Sequence, residues 1–365
     1  MNGLVMRFLF TSDLTGMGGG ETGLVYLIGE LCRSHKCMAI CGSDGPLVER
    51  LYQVGADVVV IDYKKKGKLP WNLVKLKSTI VRFSPDFIFN NDPMTACLVH
   101  AAAPAFDNNW ICHGQWYKFD KLRKSLLKRG VRRVLCVSNA SKDNLLKQGF
   151  DNCSTVYLGV PAALFVNAKA ANIREELGIS TSSLLVATVA RFQSIKGQLK
   201  GVKAVELALK RGMDVTYLLI GGSVFGSASD DDYEQIVKDY VRDNGLDSNI
   251  LFLGERQDVP SILKDVDVLI VPSDNESFGV AAVEAICSGV ALLSTPNDGV
   301  SEIVEGNPIY LSRANSAEGL TDLLMKYKDR NFLSASKAGL EPYRKKFDIA
   351  TVADSYIRAV TESDK

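Results

Sequence analysis

Apolar residues fall along the chain in two rhythms that alternate from one end to the other. Short continuous runs rich in β-branched and aromatic residues recur in the first half as "MRFLFTS", "KCMAICG", "ADVVVID", "DFIFN", "NWICHG", "RVLCVS" and "STVYLG". Between them lie longer stretches such as "ETGLVYLIGELCRS" and "WNLVKLKSTIVRF", where apolar positions return at i, i+3 and i+4, the period of a helix with one buried face. The second half repeats the alternation with "LLVATVAR", "VTYLLIGG", "ILFLG", "DVLIVPS", "ALLSTP" and "IYLS". Continuously apolar strands separated by helices indicate parallel sheets covered on both faces. The pattern predicts an α/β protein built from two consecutive doubly wound, Rossmann-like domains.

The strand rhythm pauses in "YLGVPAALFVNAKAANIREE". This places a linker around residues 160–172 and predicts domains over 1–165 and 166–345, followed by a helical stretch, "FDIATVADSYIRAV", within 346–365. Two such domains facing one another would enclose a cleft lined by the loops that follow the strands, the place where open α/β sheets bind ligands. Site residues are therefore sought just beyond strand ends.

Composition narrows the class. At 365 residues and 46% hydrophobic, the chain can bury two cores of ordinary domain size. Its eight cysteines are scattered without C-x-x-C spacing, which fits free thiols in a reducing compartment better than zinc ligands or a disulfide framework. Neither a secretory leader nor an apolar run of membrane-spanning length is seen, so a cytoplasmic protein is expected. The net charge of +1 hides an asymmetry: residues 1–165 carry 21 Lys/Arg against 13 Asp/Glu, and residues 166–365 carry 22 against 29. The basic first half points to an anionic surface or substrate.

Candidate chemistry sits where the strand rule puts it. "VATVARFQSIKGQ" follows a strand and sets Arg191 and Lys196 on the turn into the next helix, where two cations can grip an oxyanion-rich group or simply form a solvated basic loop. "VPSDNESFGVAAVEA" also follows a strand. A helix starting near Phe278 or Gly279 would offer free N–H groups and positive dipole charge to an anion, and Gly279 would let a phosphate approach the backbone. Glu276 then precedes the helix and Glu284 lies inside it, roughly 7–9 Å apart along the axis. Carboxylates so spaced suit hydroxylated groups flanking one diphosphate. Each residue also has an ordinary reading, Glu284 as a surface glutamate and Glu276 as an acid favoured by the dipole. The glycine-rich "GMGGG", with Gly18, Gly19 and Gly20, is a weaker signal that would also fit a nicotinamide-dependent oxidoreductase. His113 in "ICHGQ" ends a strand and could be a core-edge residue; His35 and His100 fall on helical patterns without an assigned role.

Arg191-x4-Lys196-Gly197 followed some eighty residues later by "PSDNESFGVAAVEAICSGVALLST" resembles the retaining glycosyltransferases of family 4, which have the two-domain GT-B fold. The resemblance extends through "LIGG", "NILFLGERQDVPSILKDVDVLIVPS" and "GVSEIVEG", and more faintly through "GMGGGETGLVYLIGEL" and "RVLCVSNASKDNLLKQGF". "YLGVPAALF" departs from it, since the family more often has an Asn-Gly-Val-Asp type of turn there.

The resemblance implies that Arg191 and Lys196 bind a donor diphosphate, that Glu276 sits beside the transferred sugar and that Glu284 holds the nucleotide ribose. Ser277 and the backbone amides at Phe278, Gly279 and Val280 would complete the phosphate cradle, and the base would rest near Glu255 and Arg256. Gly18, Gly19 and Gly20 would approach the phosphate and acceptor, and His113 the reaction centre. The final helix would cross back to the first domain. The implied reaction moves a hexose-type sugar from a nucleotide sugar to a hydroxyl of a glycan or lipid-linked glycan, as in surface polysaccharide or lipopolysaccharide synthesis. Retention by same-face attack is expected, with no cofactor and no metal; "SDDDYE" at 229–234 reads as a solvated helix start. Rival classes are a nucleotide-sugar epimerase or hydrolase of the same fold and a non-enzymatic sugar-nucleotide sensor.

Two basic stretches, residues 63–77 with six lysines and Trp71 and residues 118–133, could rest on an anionic membrane surface or be solvated helices. They lack the interleaved aromatic platforms of a nucleic-acid site, so no nucleic-acid partner is expected.

Overall fold

The computed structural model describes residues 5–63, 69–222 and 228–362, with residues 228–231 described by backbone only. The chain divides into two compact units, Met1–Val160 with Asp348–Lys365, and Pro161–Phe347.

The first unit runs β1 (Arg7–Ser12), α1 (Gly19–Cys32), β2 (Lys36–Cys41), α2 (Pro46–Gln53), β3 (Asp57–Val60), α3 (Leu69–Phe83) and β4 (Phe87–Asn90). It continues through α4 (Pro93–Ala102), β5 (Asn108–Cys112), α5 (Lys121–Gly130), β6 (Arg133–Cys136), α6 (Asn139–Lys147) and β7 (Cys153–Thr155). All seven strands are parallel, in the order β3-β2-β1-β4-β5-β6-β7. Both faces of the sheet are apolar, which is why its strands read as unbroken hydrophobic runs. Leu9, Ile40 and Ile88 pack with Leu76, Ile80 and Phe83 of α3 and Val99 of α4. The alternate positions Phe8, Phe10 and Phe89 point the other way, as the two-residue period of a strand requires. There Phe10 stacks on Phe89 at 5.4 Å, and Phe89 meets the ring of Tyr356 edge-on at 6.1 Å.

The second unit contains α7 (Ala162–Val166), α8 (Ile173–Glu176), β8 (Leu184–Val189), a 3-10 turn (Ser194–Lys196), α9 (Gln198–Lys210), β9 (Val215–Ile220) and α10 (Ala228–Asp243). After these come β10 (Ile250–Gly254), α11 (Val259–Leu263), β11 (Val268–Val271), α12 (Val280–Ser288), β12 (Ala291–Ser294), α13 (Asp298–Ile303), α14 (Ala317–Leu324), α15 (Arg330–Ala338) and α16 (Glu341–Lys346). Its parallel sheet has the order β10-β9-β8-β11-β12. Val186, Tyr217, Leu219, Val268 and Ile270 form a core with Val202 and Val205 of α9 and Leu320 and Leu324 of α14.

Where the chain passes from one unit to the other, α7 and α8 occupy the pause in the strand rhythm. The last helix, α17 (Ile349–Thr361), packs on α1 in the first unit. Two expected strands are much reduced. "STVYLG" pairs only over Cys153–Thr155. "IYLS" is not a strand but a single bridge between Ser294 and Leu311. A turn at Asn307, whose side chain accepts from the Ile309 N–H at 3.1 Å, takes up the backbone that a ladder would need.

Candidate functional site

In a doubly wound sheet, the strand order reverses at one point and leaves a crevice beyond the carboxyl ends of the two flanking strands. In the second unit that point lies between β8 and β11, so the loops after Val189 and after Val271 meet there. They carry Lys196 and Glu276. The Lys196 ammonium donates to both oxygens of Glu276, at 2.8 and 2.9 Å, and the Ser273 hydroxyl donates to the same carboxylate at 2.8 Å. Both side chains keep a solvent-facing edge, 24% for Lys196 and 14% for Glu276.

The turn is built to hold the lysine in place. Gly197 has φ +72°, and a Cβ there would overlap the carbonyl oxygen of Pro272, so only glycine lets the Lys196 turn touch the end of β11. Lys200, one turn into α9, donates to the Pro272 carbonyl at 3.0 Å and also engages Asp274 and Asn315. It thereby ties α9 to the loop that leads to Glu276.

The helix that follows Glu276 begins at Val280, with Gly279 at its N-cap and no side chain bonded across its end. Elsewhere the sequence provides caps: Asp92 on α4, Asp120 on α5, Ser138 on α6, Asn297 on α13 and Ser316 on α14 each accept a backbone N–H. Helices α1, α2, α9 and α12 start from glycine without one. An uncapped start leaves N–H donors and dipole charge available to an anion. Glu284 is buried in α12 at 8% exposure, so it is not the ordinary surface glutamate that composition alone allows. Ser277, Phe278 and Val280 are buried as well, and the Phe278 ring packs edge-on against Phe347 at 5.7 Å. The N–H of Gly299 donates to the Glu276 carbonyl at 2.9 Å and fixes the loop from behind.

Arg191 lies in the same loop as Lys196. Its backbone carbonyl accepts from Gln198 at 2.7 Å, and no ion pair to its guanidinium occurs among the described residues. Glu255 follows β10 and is exposed, beside Gly222 at the end of β9. Arg256 is turned to carboxylates: its guanidinium forks onto Asp258 with two bonds of 2.8 Å and reaches Glu176 at 3.1 Å. Those partners, Asp258 first, hold its pKa above the ordinary arginine value.

The first unit has its own reversal, between β1 and β4. Beyond it lie Ser12, Asn91 and, after the adjacent β5, His113. The His113 Nε2 bonds Asn91 Oδ1 at 2.6 Å, and Asn91 Nδ2 donates to the Ser12 hydroxyl at 3.2 Å. Burial pulls the His113 pKa down to about 4, so the ring is neutral near pH 7. Gly20, the second residue of α1, lies over this ring: a Cβ on it would stand 3.2 Å from Nδ1. Gly18 and Gly19 form the start of α1, and together these residues join the glycine-rich loop to His113 within one unit.

The structure thus brings together Lys196 with Glu276, and Gly20 with His113. Sequence reasoning missed Ser273, Lys200, Asn315, Gly299, Asn91 and Ser12. "NND" directly after "DFIF" carried the one available signal, polar residues at a strand's carboxyl end. Among the described residues no group of three or more His, Cys, Asp or Glu side chains is arranged to hold a metal ion.

Comparison with solved structures places this architecture in a known class. The Anabaena protein Alr3699/HepE, solved in complex with UDP and glucose, superposes with a TM-score of 0.84 over 98% of this chain and 100% of that one, at 21% identity. The two parallel α/β sheets are those of the GT-B glycosyltransferase fold. Family models divide the chain between them: "Glycosyltransferase Family 4" matches residues 17–164 and "Glycosyl transferases group 1" matches residues 169–338. The chain belongs to the family 4 glycosyltransferases.

Among curated relatives, a D-inositol 3-phosphate glycosyltransferase of Corynebacterium kroppenstedtii is 35% identical over 144 residues, 36% of this chain and 31% of that protein. A UDP-Gal:alpha-D-GlcNAc-diphosphoundecaprenol alpha-1,3-galactosyltransferase of Escherichia coli is 26% identical over 209 residues, 55% of this chain and 52% of that one. The matched segments span about a third to a half of these relatives' lengths.

Proposed function

We propose that this protein transfers a hexose-type sugar from a nucleotide-diphosphate donor to a hydroxyl of a glycan or lipid-linked glycan, with retention of anomeric configuration and without a metal ion. The observation that carries this reading is the Lys196–Glu276 pair, two residues far apart in sequence held at 2.8 Å where the sheet order reverses, next to the uncapped start of α12. Breaking the glycosyl bond puts negative charge on the departing phosphate and positive charge on the anomeric carbon. Arg191, Lys196 and the α12 N-terminus supply the first with counter-charge already in place. Glu276 faces the second, and a buried Glu284 accepts hydrogen bonds from ribose hydroxyls.

Lys196 cannot serve both partners equally. When a diphosphate enters, it offers the ammonium a stronger anion and loosens the hold on Glu276, which Ser273 keeps in position while its freed lone pairs turn to the sugar. Donor binding and carboxylate release are then one event. No cofactor takes part in this scheme.

UDP sugars are the first donors to test, since HepE was solved with UDP and glucose and the Escherichia coli relative is named for UDP-Gal. Calorimetry with UDP, GDP and ADP, followed by product analysis with UDP-glucose and UDP-galactose, tests the reading. Tight binding of one nucleoside diphosphate that Lys196→Ala abolishes is expected. Equal binding by wild type and variant would refute the assignment.

A lipid-linked acceptor is supported by the outer faces of α3 and α5. Trp71, Val74 and Val81 stand exposed along one side of α3, Trp71 at 76%, and Leu122 and Leu126 are exposed on α5, Leu122 at 70%. Lysines and arginines surround them, although Lys64, Lys65, Lys66 and Lys68 lie outside the described residues. Both helices pack on α4, which places the two patches in one helical layer. No helix among the described residues is long and apolar enough to cross a membrane, so contact would be from the surface. Co-flotation with anionic but not neutral liposomes at low salt is the expected result.

A further inference from the structure

His113 is held by a chain of hydrogen bonds whose direction is fixed by chemistry at its far end. The Ser12 hydroxyl donates its one proton to the Leu14 carbonyl at 2.8 Å, and a carbonyl oxygen can only accept. Towards Asn91, 3.2 Å away, Ser12 therefore offers only a lone pair, and Asn91 must present its NH2 end. The amide oxygen of Asn91 is then the end that faces His113, so the imidazole must donate from Nε2 across the 2.6 Å contact. A neutral ring carries one proton, and it is accounted for. The other nitrogen, Nδ1, is left as a bare lone pair. It has no hydrogen-bond partner and is sealed from solvent, directly over Gly20 at the start of α1.

We infer that Ser12 and Asn91 are positioning residues that lock His113 in the Nε2–H tautomer and leave Nδ1 as a bare lone pair against the glycine-rich start of α1. The tautomer follows from the bonds alone; its bearing on catalysis rests on the sugar-transfer reading above. The imidazole would have the opposite effect in the other tautomer. An Nδ1–H group would turn a donor towards the start of α1 and leave the Asn91 oxygen facing a second lone pair at 2.6 Å. Polarity is thus set three residues away from the nitrogen that uses it. Nothing in the arrangement requires a charged histidine.

The chain has only three histidines, so long-range proton–nitrogen NMR of the full protein labelled with nitrogen-15 histidine resolves each ring, and His113→Gln identifies the relevant signals. Wild type is expected to show His113 protonated at Nε2 and bare at Nδ1 near neutral pH. An Nδ1–H signal, or an average of the two forms, would overturn the inference. Ser12→Ala removes the lone pair that orients the amide and is expected to let Asn91 flip, producing a mixture of tautomers. Asn91→Asp retains an acceptor and should keep Nε2 protonated, whereas Asn91→Leu should lose the preference. If sugar transfer is found, kcat should fall in the order Asn91→Asp, Ser12→Ala, Asn91→Leu, by roughly 10- to 100-fold at the extreme, with KM for the donor changing far less. A wild-type tautomer as stated in a protein with no transfer activity would sink the functional reading and leave the tautomer standing. Transfer activity with a proton on Nδ1 would sink this inference alone.

Discussion

The two sheets reverse their strand order in the same way, yet they fill the resulting crevices with opposite chemistry. In the second unit the site side chains carry formal charge: an ammonium, a carboxylate and a guanidinium, backed by a helix end without a cap. In the first unit the groups linked to His113 are neutral and directional, a hydroxyl, an amide and an imidazole whose pKa has fallen to about 4, with the carboxylates of Asp13 and Asp92 the charged groups beyond β1 and β4. Under the proposed function the second unit takes a diphosphate, and there full charges together with the helix end offset the desolvation of a ligand that brings charges of its own. Neutral groups suffice where a ligand brings hydroxyls, and there the orientation of each proton decides recognition. One fold can carry both kinds of chemistry because the reversal point fixes where loops converge but not what they carry.

The contrast can be broken most forcefully in the charged crevice. Lys196→Ala and Glu276→Ala should each lower turnover by about 100-fold or more, as expected for groups aimed at developing charge. Steady-state assays with the best donor would show this, and near-normal rates in either variant would remove the second unit from the chemistry.

A smaller effect is expected from the turn beneath it. Gly197→Ala sets a Cβ against the Pro272 carbonyl at positive φ and should cost about 1–3 kcal/mol of stability in a denaturant titration.

The neutral crevice should reveal itself through pH. Between about 4 and 6.5 the unfolded chain binds a proton that folded His113 refuses, so its contribution is complete above the unfolded value and disappears as pH falls through the folded one. Wild type should therefore lose up to about 3 kcal/mol relative to His113→Gln on going from pH 7 to pH 4, measured by denaturant melts. The comparison with the variant cancels groups shared by both proteins, including Asp92, whose pKa is raised by burial. A flat difference would mean that the histidine is not held neutral.

The smallest expected effect is none at all: activity should survive a strong chelator. A loss restored by a divalent ion would show that the charged crevice needs more cation than Arg191, Lys196 and α12 provide.

Much of the fold was legible because both faces of each sheet are covered, which writes its strands as continuous apolar runs. "IYLS" was misleading for the same reason: Tyr310 is buried by packing rather than by ladder pairing, and hydropathy cannot separate the two. Lys196 and Glu276 were legible as residues of a spaced motif, but their contact was not. It depends on β8 lying beside β11, an adjacency between strands far apart in sequence. The same holds for His113 and Asn91, which meet because β5 lies beside β4. Lys200 resembled any other helix lysine until the Pro272 loop was seen against α9. Local pattern specifies elements, and sheet order decides which loop ends become neighbours.

The backbone at the two chain crossings has a consequence for engineering. Val160 and Asp348 form a parallel bridge, and the Ile349 N–H donates to the Val160 carbonyl at 2.8 Å, so the chain leaves and re-enters the first unit one ladder rung apart. Residues 161–347 are in effect a cassette inserted at a single seam. A short splice across that seam could remove the cassette or exchange it for one from another member of the family, while the seven-stranded sheet kept its order.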